Sequence, residues 1–272
     1  MTRHLLIGLM ALTAFASGAQ ADFVVGPKCE RMFAETGVPA MEGDTAHGGD
    51  GYFSLCRKGY AAYLNTATKN PDWVAEEVTA RSIKGKAQRK DNFAEDEEAP
   101  PPGSATLDDY RASGFDRGHQ APAADFKQSQ KLMDESFFLT NMAPQVGQCF
   151  NRGIWAQLED DVRDLARTRK RLIVFTGPVY DGPVKTIGDM KKTKPGANVA
   201  VPDSFYKVVY HPATHRAVAF LIPNKKLCKR DPSDFITDIR HIEELTGVDF
   251  FPNLSRRQRN LLEKNQGNLW GW

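Results

Sequence analysis

The sequence predicts a mixed α+β domain, in which a central, mainly antiparallel sheet carries helices on both faces. Two observations predict it. Short apolar runs of strand length are separated by turn signals, at residues 60–64 and 73–79 and again at residues 204–210 and 216–222. Longer stretches with apolar residues at helical spacing lie between these runs and after them. We therefore expect hairpin-connected strands that are covered by amphipathic helices.

Residues 1–21 have the composition of a secretory signal peptide. A short basic opening with Arg3 precedes an apolar run over residues 5–16, and Ala19-Gln20-Ala21 supplies the small residues of a cleavage site. We predict cleavage after Ala21. The apolar run is shorter than the about 20 residues that a membrane-spanning helix needs. A soluble protein without stable membrane association, either periplasmic or secreted, is therefore expected.

Residues 22–272 have a length that suits one large domain. The whole sequence has 36 basic and 34 acidic residues, so its formal net charge is only +2. The global charge therefore says little about partners, and any attraction for a polyanion must come from a local patch of cations.

The chain has four cysteines, an even number that indicates up to two disulfides in an exported protein. Three pairings are open. Proximity in sequence favours Cys29–Cys56, and elimination then leaves Cys149–Cys228. The spacing of these cysteines does not resemble a zinc site.

The first predicted strands, residues 60–64 and 73–79, are separated by an Asn-Pro-Asp turn signal. A basic segment at residues 84–90 follows them. Residues 94–104 contain four consecutive acidic residues and three consecutive prolines. This composition predicts a solvated loop, to which we assign no chemistry.

Two more strands are predicted at residues 115–120 and 137–141, with a short helix or turn at residues 129–134 between them. A long helix is predicted to begin at Asn151, because four apolar residues recur at helical spacing after it. These residues are Ile154, Leu158, Val162 and Leu165. The remaining elements are strands at residues 171–176, 204–210 and 216–222, and amphipathic helices at residues 234–245 and 255–264.

The strongest chemical pattern is the stretch Gly114-Phe115-Asp116-Arg117-Gly118-His119-Gln120-Ala121-Pro122. In an extended chain Arg117 and His119 share one face, and Asp116 points to the other. Gly118 adds no side chain, so a substrate backbone could come close. An imidazole beside a guanidinium suits hydrolysis of a phosphodiester, since one group takes a proton from water and the other neutralises phosphate.

Two further blocks follow in the same order along the chain. One is Phe137-Phe138-Leu139-Thr140-Asn141-Met142-Ala143-Pro144-Gln145, and the other places Asn151, Trp155 and Glu159 four residues apart. Together the three blocks resemble the DNA/RNA non-specific endonuclease family, the ββα-metal nucleases that include endonuclease G and secreted bacterial nucleases. The resemblance covers residues 60–254.

The resemblance implies a ββα-metal nuclease fold and metal-dependent cleavage of DNA and RNA with little sequence preference, leaving 5′-phosphate ends. We expect His119 to be the general base, because a neutral imidazole suits that task. The resemblance implies Asn151 as a direct ligand of the metal and Glu159 as a ligand through a water. Mg²⁺, with Mn²⁺ as the alternative, suits a site with one amide ligand, because it keeps several waters.

Arginines complete the predicted site. Arg117 is expected to form charge-assisted bonds to phosphate, and the resemblance matches Arg89 to an arginine near the scissile phosphate. Asp116 is expected to brace its strand rather than to touch substrate. Asn141 is expected either to hold His119 by hydrogen bonding or to satisfy backbone groups.

Other interpretations stay open at this stage. Asn151 could be the N-cap of its helix, Glu159 one acid of a solvated helix face, and Arg89 a surface arginine. Two alternative functions also remain, which are a nuclease-like domain that binds nucleic acid without cutting it and a phosphodiesterase of small nucleotides. The sequence does not decide whether the chain forms a homodimer or has a protein inhibitor.

Overall fold

The computed structural model of the chain describes residues 25–27, 29–41, 51–264 and 267. The predicted signal peptide lies outside the described residues. Among those residues, none of the helices combines the length and the apolar character that crossing a bilayer would need.

The strands are β1 (Ala40–Met41), β2 (Tyr52–Cys56), β3 (Tyr60–Asn65), β4 (Asn70–Thr79), β5 (Asp116–His119), β6 (Met142–Gln145), β7 (Arg171–Val179), β8 (Ser204–His211), β9 (Arg216–Pro223), β10 (Ile236–Thr237) and β11 (Val248–Asp249). The α-helices are α1 (Leu107–Tyr110), α2 (Gln130–Glu135), α3 (Ala156–Arg169), α4 (Ile187–Met190), α5 (Ile239–Thr246) and α6 (Arg256–Glu263).

Seven strands form the central sheet in the order β10-β9-β8-β7-β4-β3-β2. Every neighbouring pair in this sheet is antiparallel. The predicted hairpins β3–β4 and β8–β9 are both present. The prediction of a central, antiparallel sheet is therefore confirmed.

The side chains of β7 show how the sheet divides the core. Leu172 and Val174 enter the apolar cluster that contains α3, whereas Ile173 and Phe175 enter the cluster that contains α5 and α6. Successive residues of a strand point to opposite faces, so an unbroken apolar run in β7 buries both faces. Helices cover both faces of the sheet, as predicted.

Strands β4 and β7 are neighbours in the sheet, although residues 80–170 lie between them in the sequence. This insertion carries the two-stranded ribbon β5–β6 and then α3, which packs back onto the sheet. The ββα unit is thereby attached to the middle of the sheet rather than to its edge.

The strand predicted at residues 137–141 is wrong. Leu139–Asn141 form a 3₁₀ turn, and β6 begins only at Met142. The apolar residues of this run enter different clusters, since Phe137 packs in one and Leu139 in another. In addition, the Asn141 side chain bonds to nearby backbone groups, which competes with strand pairing.

The helix predicted to begin at Asn151 begins later, at Ala156. Residues Gly147–Trp155 form an irregular turn, in which Cys149 has a φ of 65° and Gly153 is also non-helical. The apolar periodicity runs past the true start because Ile154 packs in the same cluster as α3. Asn151 is therefore not the N-cap of a regular helix.

Two more boundaries differ from the prediction. The helix expected from residue 234 begins at Ile239, where the Asp238 side chain accepts a hydrogen bond from the His241 amide. The loop at residues 94–104 is only partly solvated, because Asp96 is buried against Arg57 and Thr140. A buried carboxylate needs such partners, and the sequence of the acidic run does not show which of its acids has them.

The predictions of two further helices and of the disulfides agree with the structure. Ser129 caps α2 and Ser255 caps α6 in the expected capping box with Gln258. Both predicted disulfides are formed, Cys29–Cys56 and Cys149–Cys228.

Replacement of Phe175 by alanine tests the core on the α5–α6 face. Phe175 is fully buried, and its ring centroid lies 5.4 Å from that of Phe250 and 6.1 Å from that of Phe251. We expect Phe175→Ala to lower the free energy of unfolding by about 3–5 kcal/mol, measured by urea denaturation. The matched control Met190→Ala, at a half-exposed site, should change it by less than about 0.5 kcal/mol. Equal effects of the two changes would contradict the packing described.

Candidate active site

The ribbon β5–β6 presents the predicted histidine. Arg117 pairs with Pro144 and His119 with Met142 across the two antiparallel strands. The opposite face of β5 is closed, because the Gln145 side chain lies where a Cβ of Gly118 would be. The expectation that Gly118 admits a substrate backbone is therefore wrong. Glycine is needed here to admit Gln145.

An aromatic pair, Phe93 and Phe137, supports three cationic or titratable side chains. The two rings meet edge to face, with centroids 5.0 Å apart. The His119 ring lies 5.7 Å from Phe93 and 4.8 Å from Phe137. The Arg117 guanidinium stands 4.1 Å over Phe93, and the Arg89 guanidinium stands 5.0 Å over Phe137. Such cation–π contacts fix guanidinium groups beside the imidazole.

His119 is held in its neutral form. Its side chain is buried, and the burial, together with the positive charge of Arg89, lowers the pKa of His119 to about 3. Its Nε2 atom is buried and has no hydrogen-bond partner among the described residues. A neutral imidazole with an unpaired ring nitrogen can accept a proton.

Asp116 contacts Asn151 directly. The Asn151 Nδ2 donates a hydrogen bond of 2.8 Å to Asp116 Oδ2, and Arg152 forms an ion pair with the same carboxylate. The amide nitrogen is thereby engaged, so the carbonyl oxygen of Asn151 is the atom that remains for a ligand. This oxygen is of the hard kind that Mg²⁺ prefers. Asp116 braces Asn151, not merely its own strand.

Asn141 acts on the backbone. Its Oδ1 accepts from the amide of Ala121, and its Nδ2 donates to the carbonyls of Ala121 and Ser136 at 2.9 and 2.8 Å. The Gln120 amide also donates to the Asn141 carbonyl. Of the two roles expected for Asn141, the structure has the backbone role. Asn141 fixes the chain directly after His119 without a hydrogen bond to the imidazole.

Glu159 lies in the first turn of α3, next to a group of buried charged residues. Burial raises the pKa of Glu159 to about 7, while the charges of Lys207 and Arg163 act in the opposite direction. Arg163 is itself held by a buried ion pair with Asp125 at 2.8 Å. Glu159 is therefore not one acid of a solvated helix face, although its role toward a metal stays a prediction.

A cleft of about 600 Å³ opens in front of the ribbon. Among its lining residues are Arg89, Phe93, Arg111, Asp116, Arg117, Asn151 and Arg152. The predicted phosphate-binding arginines and the predicted metal ligand thus share one cavity. His119 packs on Phe93 in its wall. An anionic substrate in this cleft would meet cations and an amide oxygen together, next to the Phe93 ring on which His119 packs.

Sequence reasoning did not find Phe93, Arg111 and Arg152 as parts of this site. Arg152 directly follows Asn151, which is a local signal that could have identified it. Phe93 lies far from the motif residues in sequence, and Arg111, although it lies just before Gly114, stands in no distinguishing pattern. Their proximity to the site depends on the tertiary fold.

The comparison with known families decides the class of this protein. A family model described as DNA/RNA non-specific endonuclease matches residues 41–257. The chain belongs to that family. The match confirms the family that the three sequence blocks indicated, and with it the prediction of a non-specific endonuclease of DNA and RNA. Such nucleases depend on a divalent metal.

Similar proteins cover most of the chain. It is 38% identical over 220 residues to a nuclease of Syncephalastrum racemosum, an alignment that spans 74% of this chain and 68% of that protein. It is 34% identical over 246 residues to the mitochondrial endonuclease G of Bos taurus, across 84% and 82% of the two chains.

The fold is similar to that of EndoG in a crystal structure of the EndoG/EndoGI complex. The TM-score is 0.72 and the identity 29%, over 86% of this chain and 96% of that one. This similarity confirms the predicted ββα-metal nuclease fold for this member of the endonuclease family.

Replacement of Asp116 tests the bracing of Asn151. Loss of a group that orients a metal ligand typically costs 10- to 100-fold in metal affinity. We expect Asp116→Ala to raise by about that factor the Mg²⁺ concentration that gives half-maximal DNA cleavage, and to weaken Mg²⁺ binding in calorimetry. Asp181→Ala, which removes an exposed carboxylate outside the cleft, is the control. An unchanged Mg²⁺ titration in a folded Asp116→Ala protein would show that Asn151 does not need its brace.

Proposed function

We propose that this endonuclease is an exported enzyme that hydrolyses phosphodiester bonds of DNA and RNA with His119 as general base and one Mg²⁺ ion at Asn151. The observation that carries the proposal is the environment of His119. It is a neutral, buried imidazole with an unpaired nitrogen, and it packs on the same two rings as two guanidinium groups that line the cleft. Few other reactions need a base and two phosphate-binding cations together.

The arginines bind and orient the substrate. Arg117 and Arg89 present guanidinium groups at fixed positions, and planar guanidinium groups match the geometry of phosphate oxygens. Their ring contacts hold the side chains before substrate arrives, so little rotational freedom remains to be lost on binding. Contacts with phosphate carry no direct sequence information, which supports the low sequence preference of the family.

His119 moves the proton. Its imidazole takes a proton from a water molecule as the water oxygen bonds to phosphorus. The bond from phosphorus to the 3′ oxygen breaks, and the phosphate stays on the 5′ side. Because the unperturbed imidazole would be partly protonated near pH 6.5, the lowered pKa keeps His119 in its unprotonated form at neutral and mildly acidic pH.

The metal site is proposed at Asn151, whose free carbonyl oxygen fits a hard divalent cation. A bound Mg²⁺ supplies Lewis-acid stabilisation of the charge that builds on the phosphate and the leaving oxygen. Asp116 orients Asn151 by accepting a hydrogen bond from its side-chain amide. Glu159 is proposed to bind the metal through a water. Mn²⁺ is the alternative ion for the same oxygen donor.

The proposed location is the periplasm or the medium, after removal of residues 1–21 from a single domain of residues 22–272. The two disulfides support it, because disulfides persist in oxidising compartments. Several relatives are named mitochondrial, so their location is a different one. A protein inhibitor is a proposed partner, by similarity to the EndoG/EndoGI complex. The homodimer stays a prediction.

Digestion of nucleic acids tests the proposed reaction. We expect the purified chain to degrade plasmid DNA and RNA with Mg²⁺ and to stop when EDTA is added. His119→Ala should reduce cleavage by at least about 100-fold, the usual contribution of a general base, with an unchanged melting temperature. Activity near that of the unmodified chain in His119→Ala would remove His119 from the mechanism. DNA binding without cleavage by the unmodified chain would leave the catalytic proposal without support.

A further inference from the structure

A second basic surface lies outside the catalytic cleft. A groove of about 830 Å³ is lined by eight residues. They are Lys58, Ala80, Arg81, Lys84, Gln128, Ser129, Lys131 and Leu132, and we call this surface the basic groove. Its lining includes four cations and no carboxylate. Since the formal charge of the whole chain is only +2, this is a local concentration of positive charge.

Most of these cations are not neutralised. Lys58, Arg81 and Lys84 are exposed and lie in no ion pair within the described part of the chain. Lys131 has a carboxylate neighbour, Glu135, at 3.9 Å. Like charges on one surface repel each other, so an anion in the basic groove would relieve that repulsion as well as bind each cation.

A short basic segment connects the basic groove with the catalytic cleft. Lys84 lines the groove, and Arg89, five residues later, lines the cleft. Lys86 lies between them and is also exposed. Five residues of extended chain span at most about 18 Å. One strand of B-form DNA carries a phosphate about every 3.4 Å along the axis, so this span corresponds to about five phosphates.

The connecting segment is held in place by the protein. The Ala87 amide donates to the Lys127 carbonyl at 3.3 Å, and Gln88 exchanges two hydrogen bonds of 2.9 Å with the Gln130 side chain. Gly85 lies so close to the Lys127 backbone that a side chain would collide with it. The backbone that carries these cations therefore has a fixed position relative to both the groove and the cleft.

We propose that the basic groove binds the sugar-phosphate backbone of a nucleic-acid polymer several nucleotides away from the bond that lies in the cleft. This inference rests on the proposed function and deepens it, since it makes the substrate a polymer rather than a dinucleotide. The repeating charge of a nucleic acid matches cations that continue from the groove to the phosphate-binding arginines of the cleft. An acidic protein would not need that continuity.

Binding of uncut DNA tests the basic groove. In a His119→Ala background, the triple change Lys58→Gln/Arg81→Gln/Lys84→Gln should raise the Kd for a fluorescent 30-base-pair duplex at least tenfold near 100 mM salt. The slope of log Kd against log salt should fall by about 2 to 3, because each phosphate contact contributes about 0.9. The control Arg256→Gln/Arg257→Gln/Lys264→Gln removes the same charge from exposed positions in α6 and directly after it. This control should leave the Kd and the salt slope close to the parent values.

Turnover gives a second measurement. In the active enzyme, the groove substitutions should lower the ratio of kcat/KM on plasmid to kcat/KM on a dinucleotide at least tenfold. If the triple variant does not fold, the single change Lys84→Glu replaces it in this measurement and should lower the same ratio.

Two outcomes would overturn the inference. In one, the groove variant behaves like the control variant in DNA binding. In the other, it loses affinity for poly-glutamate while its Kd for DNA is unchanged, which would make the groove a site for an acidic protein. Failure of the unmodified chain to cut DNA contradicts the proposed function instead, and the binding measurement still tests the groove.

Discussion

The Phe93–Phe137 pair is the constraint on which the candidate site depends. The proposed base, His119, must accept a proton although two arginines beside it are positively charged and its side chain is buried. The Arg117 guanidinium stacks on Phe93 and the Arg89 guanidinium on Phe137, and Arg89 also pairs with Asp91 at 2.7 Å. The same rings bury His119 and lower its pKa. The proposed phosphate-binding arginines and the proposed base thus rely on one pair of aromatic side chains.

The fold positions this pair through a long insertion between two adjacent strands of the sheet. Because β4 and β7 pair directly, both ends of the insertion are anchored at the centre of the molecule. Asp116, from the ribbon, holds Asn151, from the irregular turn that precedes α3. The Cys149–Cys228 disulfide ties that turn to the loop after β9. The candidate metal ligand is therefore held both by a hydrogen bond to its own side chain and by the disulfide of its turn, and such contacts orient a ligand.

The sequence predicted which residues come together better than it predicted the local geometry. His119, Arg117, Asn151 and the hairpins of the sheet follow from motifs and periodicity, because these signals are local. Phe93 could not be predicted from sequence, because it lies in an irregular segment that is distant in sequence from the strand that carries His119. The apolar run at residues 137–141 resembled a strand because hydrophobicity does not show that its members enter different clusters. The start of α3 was misplaced because Ile154 continues the helical spacing outside the helix.

The ionisation of His119 is the most direct test of this account. The Cε1 proton of His119 can be followed by NMR as a function of pH, and the His119→Asn spectrum identifies its signal. The account predicts no titration between pH 5 and 8, because the folded pKa is about 3. The same residue in urea should titrate near the reference value of about 6.5. A folded-state midpoint near 6.5 would contradict the claim that burial and Arg89 hold His119 neutral.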